Sequence, residues 1–188
     1  CLLSRGLGDV YKRQRLLTHN NRVDMAGEGL DYAIRFGEGA WHGTQADRIM
    51  DAPMSVMCSP ALAHGLRTMA DLARQPLLRS YRTDEWTAWF EAAGAPCPVV
   101  RGAVFDSSLT LAEAAAQGAG MALLPVKMFA RELQQGRLAQ PFAQELHRGA
   151  YWLTRLQSRT TTGAMAAFRD WLMSQASVTA GAGAEELG

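Results

Sequence analysis

Neither sign of charge dominates this sequence: 19 Lys and Arg against 18 Asp and Glu leave a formal charge of +1 over 188 residues. Domains that grip nucleic acid usually concentrate basic residues on one face, so the composition carries no bias toward that partner. Long apolar runs are missing too. No stretch of 18 or more apolar residues exists, and nothing here is suited to span a membrane. Cysteine is scarce, and Cys1, Cys58 and Cys97 are odd in number and far apart. They form neither a disulfide framework nor a zinc pattern, and a reduced cytoplasm suits them best. Catalytic signatures are absent as well: there is no G-x-S-x-G, H-E-x-x-H, G-x-x-x-x-G-K-[ST] or C-x-x-C. His19, His42, His64 and His147 have no ligand-like spacing, so the sequence implies no metal, no cofactor and no enzyme.

At 48% hydrophobic residues, the chain can build a globular core, as one domain or two small lobes. The stretch VFDSSLTLAEAAAQGAGMALLP, Val104 to Pro125, organises the rest. Asp106, Ser107 and Ser108 are capping residues placed after an apolar run. Leu109, Leu111, Ala112, Ala115 and Ala116 give one helical face, Gly118 and Gly120 stop the helix, and Met121 to Leu124 form a short buried strand. The pattern implies a βαβ unit with parallel strands, its helix starting at the carboxyl end of a strand. The free N–H groups of that first turn favour an anion.

Residues 1–14, CLLSRGLGDVYKRQ, do not fit the rest of the chain and read as a segment foreign to the fold. From Arg15, RLLTHNN reads as a strand and turn, Val23 to Gly29 as a short helix, and LDYAIRFG as an alternating strand. GEGAWHGT is a loop with Trp41 and His42 exposed or lining a cleft. DAPMSVMCS is a buried strand, and Ser59 and Pro60 start one helix that carries Leu62, Leu66, Met69 and Leu72 inward. LLRSYRTDEW is strand and turn, with Asp84 capping a helix whose Trp86, Trp89 and Phe90 pack. VKMFARELQQG, GAYWLTRLQ and GAMAAFRDWLMSQA read as helix, long strand and closing helix, and 177–188 as a disordered tail.

Three chemical candidates emerge from the residues. Ser107 and Ser108 offer hydroxyls at a positive helix end. Arg79 and Arg82 flank Tyr81, as anion partners or as a solvated turn. Tyr151 offers a phenol and an apolar face, for ligand contact or for packing. Ser108 as a hydrolase nucleophile is a competing reading, but no base stands beside it in sequence. A free-standing small-molecule binding protein is another.

The pattern F-D-S-S-x-T-x-x-E-A-A-x-x-G-x-G-x-A-L-L-P resembles the effector-binding domain of LysR-type transcriptional regulators, and so does R-L-x-x-x-x-x-x-x-D-x-x-x-x-G-L-D-x-A-I-R-F-G. THNNRVD, LLRSYRTDEWTAW and YWLTRLQSR are similar to the branch that controls an inducible β-lactamase gene and binds cell-wall muropeptides. The resemblance runs from about Arg15 to Ala176. It implies an α/β, two-lobed, periplasmic-binding-protein-like fold with hinge strands, lobe I at 15–54 and 152–176 and incomplete, and lobe II at 55–151. Asp31 to Gly37 would be a central strand of lobe I. Ser107, Ser108, Tyr81, Arg79, Arg82 and Tyr151 would hold the effector between the lobes, and Asp24 would influence the response. The domain would serve a homo-oligomeric, cytoplasmic regulator that meets DNA only through a helix-turn-helix domain that this chain lacks.

Overall fold

The computed structural model describes residues 15–17 and 24–182. The foreign-looking segment 1–14, the turn formers from Thr18 to Val23 and the last six residues lie outside that range. In chain order the elements are β1 (Ala33–Gly37), β2 (Thr44–Asp51), β3 (Met54–Met57), α1 (Pro60–Ala63), α2 (Met69–Ala73), β4 (Arg79–Ser80) and α3 (Glu85–Ala92). They continue with β5 (Val104–Phe105), α4 (Ser108–Ala116), β6 (Ala122–Pro125), a 3-10 turn (Val126–Phe129), α5 (Ala130–Gln134), β7 (Ala150–Leu156) and α6 (Gly163–Ala182). Two compact units result, one from the segments up to Asp51 and from Gly149 onward, the other from Ala52–Arg148. The expected boundaries lay three residues further along both connecting segments.

In the first unit the three strands run β1-β7-β2, both pairings antiparallel. The long strand β7 is therefore the middle one. A central strand was expected at Asp31 to Gly37; among the described residues β1 has a neighbour on one side only. α6 lies on β2; Met165 of the helix and Leu153 of β7 are buried, and Tyr32 donates to the Met165 carbonyl at 3.1 Å. That helix runs to Ala182, further than expected, since Ala and Ser between 174 and 180 do not interrupt helical hydrogen bonding. Residues 24–29 form a turn, not the expected helix. The Asp24 carboxylate takes the N–H groups of Ala26 and Gly27, and Gly29 ends the turn at φ +66°.

The second unit is held by β3 against β6, antiparallel, with all four residues of each strand buried. Met57, Leu111, Ala115, Leu124, Phe129 and Leu138 form its centre, and Trp89 and Phe90 of α3 are fully buried. The helix start at Ser59–Pro60 is as expected, but one helix becomes two. Gly65 comes just after α1, and Thr68 opens α2 with a reciprocal capping box to Asp71 that breaks the run. Leu66 and Leu72 are buried, whereas Leu62 and Met69 are only half so.

β4 pairs parallel with β5, and just before β4, Leu77 bridges parallel to Met121. The strands of the organising unit are thus parallel, as expected, but β4 lies between them. Gly120 permits this approach. It has φ +154°, and a Cβ there would stand 2.3 Å from the Pro76 carbonyl oxygen.

In the first unit Arg169 of α6 grips Asp47 of β2 with two hydrogen bonds, at 2.7 and 2.8 Å. The guanidinium bonds hold the Asp47 carboxyl below its ordinary value, against the opposing pull of burial. A lowered carboxyl contributes stability that is complete above the unfolded-state value of about 3.9 and is lost as pH falls through the lowered folded value. Asp47→Asn is therefore expected to lower stability at neutral pH and to flatten the acid limb of stability against pH, measured by urea unfolding from pH 7 to pH 3.

Candidate functional site

Because β4 and β5 are parallel neighbours, they end on the same side of the second unit, and the segments leaving them emerge together. Open α/β sheets bind ligands at such carboxyl ends. After β5 the chain turns at Asp106, and Ser107 becomes the N-cap of α4 in extended conformation, φ −123° and ψ 128°. The expected capping bond is not formed: the Ser107 side chain accepts no helix N–H. Both serines are half-buried, and neither hydroxyl has a hydrogen-bond partner among the described residues. The first N–H groups of this nine-residue helix have no intrahelical partner and carry its positive end. Ser59, Thr68 and Ser80 each accept a backbone N–H in a cap or turn. The α4 start instead leaves two hydroxyls beside unsatisfied N–H groups. Leu109, expected on the packed face, is 63% exposed.

After β4 the chain makes a tight turn built on Glu85. Ser80 donates its hydroxyl to one carboxylate oxygen at 2.6 Å and accepts the Arg82 backbone N–H at 3.1 Å. Arg82 donates to the other oxygen at 3.0 Å, and its guanidinium covers the Tyr81 ring at 4.7 Å. Glu85 is 8% exposed, so this is a desolvated pair, and the charge of Arg82 is answered inside the turn. Asp84 is the N-cap residue of α3, as expected, but its side chain makes no cap bond. Its carboxylate pairs with Arg148 at 2.9 Å instead. Tyr81 keeps half its surface exposed beside the two strand ends.

Arg79 and Arg82 line a pocket of about 210 Å³ with Thr83, Trp86, Thr87, Cys97, Pro98 and Val100, and neither Ser107 nor Ser108 lines the same pocket. Arg79 donates to the Gly102 carbonyl at 3.2 Å. Thr83, Thr87 and Glu85 are not among the residues the sequence pattern singled out; the R-T-D-E order at a helix start was the available signal for the Arg82–Glu85 pair. Tyr151 belongs to the other unit, half-buried on β7 with its ring edge-on to Phe36 at 5.7 Å. Asp24 also belongs there, in the turn already described. Among the described residues no group of three His, Cys, Asp or Glu side chains is placed to hold a metal ion.

Two α/β units joined by two connecting segments, with a helix start at parallel strand ends, define the class: a two-lobed ligand-binding domain of periplasmic-binding-protein type. The LysR substrate binding domain family matches residues 13–177, and the chain belongs to that family. It is 58% identical over 168 residues to the HTH-type transcriptional activator AmpR of Pseudomonas aeruginosa, a match that covers 88% of this chain and 57% of that protein. The chain thus spans little more than half the length of that relative. The solved effector domain of the Pseudomonas aeruginosa AmpR matches with a TM-score of 0.83 at 58% identity, covering 88% of this chain and 80% of that one. The AmpR effector binding domain of Citrobacter freundii matches with a TM-score of 0.81 at 51% identity, over 84% and 80%. The chain is an AmpR-like effector-binding domain.

The Ser80–Glu85–Arg82 turn sets where Tyr81 stands. Glu85→Ala is expected to cost about 3 kcal/mol, the scale for leaving one member of a buried ion pair alone. Chemical denaturation of the two proteins side by side measures it, and a cost below about 1 kcal/mol, the surface-pair range, would show the pair to be peripheral.

Proposed function

We propose that this chain is the effector-sensing domain of a LysR-type transcription activator, that it binds cell-wall muropeptides, and that it thereby controls a β-lactamase gene. The observation that carries this is the α4 start, with two unpartnered serine hydroxyls beside unsatisfied N–H groups at the carboxyl end of β5. Muropeptides carry carboxylates, and their precursor form also carries a diphosphate. Helix N–H groups and hydroxyl donors meet such oxygens without placing a full counter-charge in the site. Ser107 and Ser108 take the anionic group, and the half-exposed Tyr81 ring offers an apolar face to a sugar or peptide.

Tyr151 enters as an effector contact, and Asp24 as a residue of the response, on the family resemblance. In the same reading the chain works as part of a homo-oligomer in the cytoplasm, and a helix-turn-helix domain outside it meets the DNA. Arg82 serves the site indirectly, since its bond to Glu85 fixes the turn that carries Tyr81.

Ser108→Ala is expected to weaken muropeptide binding by about 1–3 kcal/mol, the range for an unmade hydrogen bond to a charged group. Stability is expected to change by less than about 1 kcal/mol, because the N-cap is Ser107 and makes no side-chain cap bond in the first place. Calorimetric titration of both proteins with a muropeptide gives the comparison. Equal affinities would remove Ser108 from the site.

A further inference from the structure

The pocket that Arg79 lines is not lined by Ser107 or Ser108. We propose that it is a second, separate anion site, built for a compact molecule with one carboxylate or phosphate group on a small apolar body. The cation is Arg79. Its guanidinium donates to one backbone carbonyl, that of Gly102, and no carboxylate lies within ion-pairing distance of it among the described residues. Its fork of N–H groups suits a planar or tetrahedral oxyanion. Arg82 adds donor surface, but its charge is already balanced by Glu85.

Neutral donors stand opposite. Thr83, just before the N-cap of α3, and Thr87, within the helix, both line the pocket, and both residues are exposed. No Asp or Glu is among the residues that line the pocket, and the Glu85 carboxylate bonded to Arg82 is buried. The remaining wall is apolar. Trp86 uses its Nε1–H on the Leu78 carbonyl at 2.8 Å and presents ring carbons, beside Pro98 and Val100. The volume of about 210 Å³ leaves room for an oxyanion head and a body the size of one ring. Arg79 thereby separates into a role that the sequence pattern, which grouped it with Tyr81 and Arg82, did not distinguish.

The test uses the chain as it stands, with inorganic phosphate and benzoate as probes and sodium chloride at matched ionic strength as control. Amide shifts of Thr83, Thr87 and Cys97 are followed by NMR during each titration. Saturable shifts with phosphate or benzoate, absent with chloride, are expected. Thr87→Glu puts a negative charge at an exposed position and is expected to weaken binding about tenfold or more, as is Arg79→Met through loss of a charged hydrogen bond. Ser108→Ala is expected to leave these titrations unchanged, so failure of the effector reading and failure of this one are distinguishable. No saturable shift with either probe, the same shift with chloride, or shifts that survive both Thr87→Glu and Arg79→Met would overturn the proposal. Loss of binding in Ser108→Ala would also overturn it, because the two sites would then be one.

Discussion

Two backbone hydrogen bonds fix the geometry on which the second unit's chemistry depends. Met121 donates to the Pro76 carbonyl and Leu78 donates to the Met121 carbonyl, both at 2.8 Å. They insert the segment before β4 beside the strand that comes after α4, and β4 then continues alongside β5. The two strand ends, and the Tyr81 and Ser107 segments after them, come together for that reason. A side chain at position 120 would push Pro76 away, so Gly120 is a condition of the arrangement rather than a loop filler.

The strand–helix–strand unit from Val104 to Pro125 was legible because each signal agreed: polar caps, an apolar helical stripe, two glycines, then a buried run closed by proline. The position of β4 inside it was not legible. Only two residues of β4 form the ladder with β5, too few for a period to register. The split of the 60–73 helix was visible in principle, since T-M-A-D is a capping box, but the apolar spacing on both sides of Gly65 overrode it. The position of β1 among the described residues was not legible for a different reason. Alternation shows which face of a strand is buried, and says nothing of whether a neighbour lies on each edge.

The candidate site was legible in part. Residue types pointed to Ser107 and Ser108, and the fold sets both at a strand end with their hydroxyls unpartnered among the described residues. The two arginines looked alike in sequence and differ in structure. Arg82 is closed by a buried carboxylate three residues on, while Arg79, among the described residues, meets only a carbonyl. With a net charge of +1, the chain offers anions no strong overall field; what it offers is local, a helix end and the Arg79 guanidinium.

The central claim is that an anionic effector binds at the start of α4. Amide hydrogen exchange, measured by segment with and without saturating muropeptide, tests it most directly. Bonds from the first-turn N–H groups to the ligand's carboxylate predict slowed exchange across residues 106–112, with a smaller effect at 80–85. Unchanged exchange across residues 106–112 in the presence of bound muropeptide would contradict the account.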